Sequence, residues 1–350
     1  MRIWRTNYIK RKYNTLEVMQ KGILLVLITL FVSVNLFSQD IRFSQYYSTP
    51  LLYNPAFTGY FNGDVRASAI YKSQWQTPFN AYRTIGGGAD FSIAKQKFKG
   101  SGFGVGVHFF SDQAGDLNLN TNQLLLSLAY TQKLGQNMPN YLSAGFQMTG
   151  GNKSINFSNA IYETPGADII GVDNYWYYSM GLGILWYAEP ADKVNFYLGG
   201  SAFNLLKPNQ SFYTDGRDAL YVRYVGQAGL NFSVNNNIDF NTSTLYQRQG
   251  PFQEFMIGFL GRYDFSPSSN QNFKIGAGLW YRIQDALIPV VRVEYEDFNL
   301  TFNYDVNLST LTRASRTNGG PEISLIYTGF WNADRKKAAN KKSNLGCPVL

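Results

Sequence analysis

From about residue 64 to residue 331, apolar and polar residues alternate with a period of two, segment after segment. In Leu300–Leu308 the residues Leu300, Phe302, Tyr304, Val306 and Leu308 share one parity, and Thr301, Asn303, Asp305 and Asn307 share the other. Successive side chains of a β-strand point to opposite faces, so such a ribbon has one oily side and one wet side. In 64–72, Val65, Ala67, Ala69 and Tyr71 oppose Asp64, Arg66, Ser68 and Lys72. In 222–234, Val222, Tyr224, Leu230, Phe232 and Val234 oppose Arg223, Gln227, Asn231 and Ser233. In 273–283, Phe273, Ile275, Leu279, Tyr281 and Ile283 oppose Lys274 and Arg282. In 291–296, Val291, Val293 and Tyr295 oppose Arg292, Glu294 and Glu296. A chain patterned in this way is bound to form sheet.

The pattern predicts strands at 64–73, 82–93, 101–111, 121–133, 140–150, 174–188, 193–204, 221–234, 237–248, 252–265, 271–283, 287–296, 299–308 and 321–331. Most are near the roughly 9–11 residues that a tilted strand needs to cross a bilayer. Connections after even-numbered strands are short, at 94–100, 134–139, 189–192, 235–236, 266–270 and 297–298. Several after odd-numbered strands are long, at 151–173, 205–220 and 309–320, whereas 74–81, 249–251 and 284–286 are short. Short periplasmic turns and longer external loops, with an even strand count, describe a bacterial outer-membrane barrel. The expected fold is therefore an all-β transmembrane antiparallel barrel of about fourteen strands.

The alternative is a soluble sandwich or barrel, whose inner face also alternates. Composition weighs against it. Aromatic residues make up 16% of the chain and charged residues only 15%, against about 25% charged in a typical soluble domain. Mean hydropathy is nevertheless -0.23, which does not suit a bundle of apolar helices. Many outward aromatics suit interfacial belts at a membrane.

Ile23–Phe37 is the longest apolar run. It is shorter than the roughly 20 residues of a spanning helix. Lys21 precedes it and Ser38-Gln39 follows, the layout of a secretory signal peptide. The expected organisation is a signal peptide over 1–39, with a possible true start at Met19. An N-terminal periplasmic or plug segment follows over 40–63, then the barrel over 64–331 and a basic periplasmic tail over 332–350. The other reading of the leader is an uncleaved anchor helix. The net charge of +8 resides in two places. Arg2, Arg5, Lys10, Arg11, Lys12 and Lys21 lie in the leader, and Arg335, Lys336, Lys337, Lys341 and Lys342 lie in the tail. The body between is almost neutral, so the basic footprint of a nucleic-acid binder is missing and no nucleic-acid partner is expected.

The residues that could carry chemistry are few. His108 is the only histidine and Cys347 the only cysteine. No disulfide within the chain and no cysteine-based zinc site can form. His108 opposes Phe103, Val105, Val107 and Phe109 and should face the lumen, as a hydrogen-bonded wall residue rather than a catalytic base. No activated nucleophile, acid–base pair or phosphate-cradling glycine loop is visible. No enzymatic activity, catalytic residue, metal or cofactor is expected. Gly86-Gly87-Gly88 falls mid-strand and marks a bend or close packing. Arg66, Arg223, Arg282, Arg292, Glu294 and Glu296 should point inward, either pairing across the lumen or lining a path for ions or peptide. Asn54-Pro55-Ala56 favours turn initiation. It either caps the inner mouth or serves as a plug or a dock for a periplasmic partner. Loop 151–173, with Ile155, Phe157, Ile161 and Tyr162, is a candidate lid or partner surface. Cys347 either is a plain tail thiol or pairs with a partner's cysteine. Asn318–Leu325 resembles the insertion signal of outer-membrane barrels, which would place Phe330 and Trp331 in the inner aromatic girdle.

Phe43-Ser-Gln45-Tyr46, Pro50-Leu51 and Asn54-Pro55-Ala56-Phe57-Thr58-Gly59 together resemble the opening signature of the PorP/SprF family of Bacteroidota outer-membrane proteins. Tyr71–Trp75, Asn303–Ser309 and Gly319–Leu325 are similar to further family segments, and Cys347-Pro348 to its closing Cys-Pro. Where the family usually continues with Arg-Phe, this chain ends in Val349-Leu350. The resemblance implies an outer-membrane component of the type IX secretion and gliding-motility system. Its partners would be outer-membrane lipid, other secretion components and a large secreted surface protein with a C-terminal secretion domain. Phe43, Gln45, Tyr46, Pro50, Asn54, Pro55, Ala56, Gly59 and Trp75 would then be signature or docking residues. The alternative function is a passive porin or solute channel.

Overall fold

The computed structural model describes residues 40–74, 82–98, 101–115, 117–135, 138–156, 173–212, 218–266, 272–308 and 318–331. Trp75, most of loop 151–173, Cys347 and Pro348 lie outside them. Fourteen strands form one closed sheet: β1 (Val65–Gln74), β2 (Tyr82–Phe98), β3 (Ser101–Ala114), β4 (Leu119–Lys133), β5 (Asn140–Ser154), β6 (Asn174–Ala191), β7 (Val194–Phe203), β8 (Arg223–Ser233), β9 (Ile238–Gln249), β10 (Phe252–Asp264), β11 (Phe273–Arg282), β12 (Ala286–Tyr295), β13 (Phe298–Asn307) and β14 (Asn318–Gly329). Each strand pairs antiparallel with its sequence neighbours, and β1 pairs with β14 from Val65↔Gly329 to Lys72↔Glu322. Closure leaves no unpaired sheet edge, the condition for crossing lipid with strands. Among the described residues no helix is long and apolar enough to cross a membrane.

The strand faces are inverted relative to a soluble protein. On β13, Thr301, Asn303, Asp305 and Asn307 are buried, while Leu300 and Phe302 are 43% and 48% exposed. The same inversion recurs around the sheet, with Phe103, Leu126, Ile184, Leu198, Ile257, Leu279 and Val291 pointing out. A sheet that exposes aliphatic and aromatic side chains and buries Asn, Gln and Asp is stable only with lipid outside. This removes the soluble-sandwich alternative.

An aromatic girdle rings the end of the barrel where β1 begins and β14 stops. Its members include Phe103 with Tyr130, Trp186 with Phe196, Phe273 with Tyr295, and Phe298 with Tyr327. Trp331 stacks on Phe91 there, at 6.2 Å and 6°. Both the first and last strands end here, so this is called the terminus end; the opposite rim is the loop end.

Strand ends differ from the sequence expectation by a few residues at several places, most at β2 and β5, and one orientation differs. β2 runs on to Phe98, which pairs with Ser101, so strand extends into the expected 94–100 connection. β5 extends through Ser154 into the expected 151–173 loop, because 151–154 stay paired with 174–177. Glu296 does not face the lumen. It lies in the β12–β13 turn at φ 52, where its backbone N–H donates to Asn272 and its carboxylate accepts the Asn272 N–H. Parity stops defining a face once the strand ends.

Candidate functional site: a lumen filled by the chain's own N-terminal segment

Residues 40–63 have no strand period. They form a one-turn 3-10 element Tyr46–Ser48, a short helix Pro50–Tyr53 and a second 3-10 turn Pro55–Phe57. Pro50 and Pro55 each stand at the start of their element, where a missing N–H costs no bond. Asn54 caps the last turn by accepting the Ala56 N–H at 2.9 Å. The turn expected of Asn54-Pro55 therefore exists. Its place is inside the barrel, with the Asn54 amide donating to the Ile184 carbonyl of β6 at 3.0 Å.

The segment descends the lumen in register with the wall. Asp40 bonds to Asn204, Gln249 and Arg223, all at the loop end. Arg42 pairs with Glu254 near the start of β10 at 3.2 Å. Tyr46 donates to Ser243 at mid-height on β9, at 2.7 Å. Ser143, near the start of β5, donates to the Ala56 carbonyl at 2.8 Å. Tyr60 packs on Tyr141 and Tyr187 at the terminus end. From Asp64 the chain turns into β1.

Charged wall residues hold the segment by its backbone. The Glu322 carboxylate accepts the N–H groups of Ser44 and Gln45, at 3.0 and 2.6 Å, and faces the Lys72 ammonium at 3.7 Å. Asp305 accepts the Ser44 hydroxyl at 2.7 Å and Arg282 at 3.1 Å. The Gln45 amide donates to Asn303 at 2.5 Å and to the Glu322 carbonyl at 3.1 Å. Its oxygen accepts Ser48 and Ser324.

The inward charges expected from sequence come together here. Arg66 is bidentate to Asp90 and reaches the Phe57 carbonyl at 3.3 Å. Arg223 faces Asp40, donates to the Leu52 carbonyl at 2.9 Å, and lies over the Phe203 ring. Arg292 lies over the Tyr47 ring and donates to Thr301. Glu294 takes Arg262 at 3.1 Å. His108 is buried beside Ser68, at 3.2 Å from its hydroxyl, and stacks on Phe110. Among the described residues no cluster of three or more His, Cys, Asp or Glu could hold a metal ion.

Two apolar clusters complete the packing. Phe43, Tyr46, Tyr47, Leu52 and Tyr53 meet Phe110, Leu245, Met256, Leu260 and Trp280 from the wall. Lower down, Ala56, Phe57, Tyr60 and Phe61 meet Leu185, Tyr187 and Tyr197. Burying each such side chain contributes about 1.5–3 kcal/mol. Glycines admit the backbone. A Cβ on Gly104 would lie 2.0 Å from the Thr58 carbonyl oxygen, and one on Gly145 would lie 2.3 Å from the Pro55 carbonyl carbon. Gly59, at φ +69, makes the turn against Gly104 while its N–H goes to Asp90 at 2.8 Å.

Sequence reasoning passed over Asp90, Glu254 and the latch role of Glu322. It also took the lumen as polar and so missed the inward Ile70, Phe110, Leu245 and Trp280. The signal was present: those apolar residues occupy polar-parity positions, and in 286–291 both parities are apolar.

No curated protein matches the chain. Among solved structures, a Pseudomonas aeruginosa FadL homologue is similar at 11% identity, covering 78% of this chain and 92% of its own, with a TM-score of 0.46. The Ralstonia pickettii toluene transporter TbuX is similar at 10% identity, covering 80% and 92%, with a TM-score of 0.44. The KdgM porin, solved with disordered oligogalacturonate, follows at 8% identity, 75% and 98%, with a TM-score of 0.38. Likeness this weak carries no argument about the lumen or its contents. A family model described as type IX secretion system membrane protein PorP/SprF matches residues 35–327. That match spans the plug-forming segment and nearly all of the barrel, and the chain belongs to the PorP/SprF family of type IX secretion system membrane proteins, residing in the outer membrane.

Proposed function

We propose that this outer-membrane barrel is a non-enzymatic, closed platform of the type IX secretion and gliding-motility system. It aids the export or surface anchoring of large proteins bearing a C-terminal secretion domain, adhesins among them. One observation carries the reading: the lumen is occupied by the chain's own residues 40–63, latched to Glu322, Asp305, Arg223 and Asp90. A barrel filled in this way offers its rims and external loops to partners rather than a water path. The signature residues Phe43, Gln45, Tyr46, Pro50, Asn54, Pro55, Ala56 and Gly59 then serve to build the plug. All of them are engaged inside the wall or buried there.

The test is genetic. Deleting the gene should remove a large C-terminal-domain protein from the cell surface while its synthesis continues. Unchanged surface display would overturn the reading. The porin alternative is tested on the purified protein in a planar bilayer, where the platform reading expects no steady conductance. Steady single-channel currents from the full chain would favour the porin instead.

A further inference from the structure

A bacterial barrel with an even number of strands places both strand termini in the periplasm, at the end of the short turns. Here β1 begins and β14 stops at the terminus end, and the connections there include two-residue turns at 192–193 and 296–297. A chain entering β1 would ordinarily come straight from the periplasm. This one arrives through the barrel. Its contacts climb from Tyr60 beside Tyr187, through Tyr46 on Ser243, to Asp40 beside Asn204, Arg223 and Gln249 at the loop end.

We infer that residues 40–64 thread the lumen from the cell-surface end to the periplasmic end, so that Asp40 sits at the cell-surface end while β14 finishes at the periplasmic end. This rests on the outer-membrane placement and goes beyond the secretion role. Asp40 has a built seat. Its N–H donates to Gln249 at 3.2 Å, and its carboxylate takes Asn204 at 2.7 Å and faces the Arg223 guanidinium at 3.4 Å. Of residues 40–64 only two are exposed, Arg42 near the loop end and Asn62 at the terminus end.

The two exposed residues provide the experiment. In a Cys347→Ser background, Arg42→Cys and Asn62→Cys are made separately in the full chain and treated on intact cells with a membrane-impermeant maleimide. Arg42→Cys should label on intact cells. Asn62→Cys should label only after the outer membrane is permeabilised, as should Cys347 in the parent protein. Labelling of Arg42→Cys only after permeabilisation would overturn the threading, as would labelling of both variants from outside. Should Arg42→Cys fail to assemble, a short epitope directly ahead of Asp40, detected by antibody on intact cells, asks the same question, and its inaccessibility there is equally fatal. Loss of cargo display upon gene deletion is scored independently, so the topology can fail while the secretion role stands, and the reverse.

Discussion

Arg66 on β1 grips Asp90 on β2 through two hydrogen bonds of 2.9 and 2.8 Å, and both side chains are buried. The same carboxylate takes the Gly59 N–H at 2.8 Å, and the same guanidinium covers the Phe61 ring at 4.8 Å. One ion pair thus ties the first hairpin of the barrel to the last turn of the threaded segment. Removing one partner of a buried pair strands the other charge, which costs about 3–5 kcal/mol.

Asp90→Ala should therefore lower the temperature at which the folded species is lost on a semi-native gel, and Arg66→Ala should do the same. The double variant Arg66→Ala/Asp90→Ala should recover part of the loss, since no lone charge remains. Strictly additive losses would mean the pair is not coupled.

A second prediction concerns the latch. Glu322→Ala removes the acceptor for two consecutive N–H groups of the segment, each worth about 1.5–3 kcal/mol as a hydrogen bond to a charged group. Transient release of the segment should rise at least tenfold, read in detergent as faster trypsin cleavage after Arg42. Glu322→Gln, which keeps an acceptor oxygen, should fall between the two. Equal cleavage rates for all three proteins would show that the Glu322 contacts do not hold the segment.

The difference between Glu322 and its neighbours also marks what the sequence could tell. The outward face of β13 was legible because Leu300, Phe302 and Val306 repeat at a fixed spacing and meet one uniform medium, lipid. All fourteen strands were legible for the same reason. The end of β2 was not, because the lysine-rich stretch 94–98 reads as a turn while backbone pairing to Ser101 continues regardless of composition. Parity also tells which way a side chain points without telling what it meets. Ile70, Phe110 and Trp280 face inward onto the segment's aromatics, where a water-filled lumen would have wanted polar groups. The seat of Ser44 and Gln45 on Glu322 joins residues more than 270 positions apart, and no local pattern encodes that.

Wall glycines give a third prediction. A Cβ at Gly145 would meet Pro55 backbone atoms within 2.5 Å, whereas one at Gly226 would meet nothing within 4 Å. Gly145→Val should displace the segment and sharply reduce the amount of folded barrel, since overpacking against backbone costs about 1–3 kcal/mol or more. Gly226→Ala, also on the barrel wall, should be close to neutral. Folded yield on unheated gels compares the two directly, and a tolerated Gly145→Val would remove Pro55 from its described position.

The last prediction bears on the inverted faces. Phe302 lies mid-strand on β13 and points outward, flanked in the sheet by Val291 and Ile323. With lipid outside, Phe302→Arg should destabilise the barrel by about 2–4 kcal/mol, the cost of a basic side chain near the bilayer midplane. Phe302→Leu should have little effect, because any apolar side chain satisfies that face. Near the barrel end the penalty should fade, so Phe298→Arg should cost less than Phe302→Arg. Denaturant titration of the detergent- or vesicle-embedded protein measures all three. A flat response along the strand would mean the outward face meets water, and would remove the physical basis for placing this sheet in a membrane.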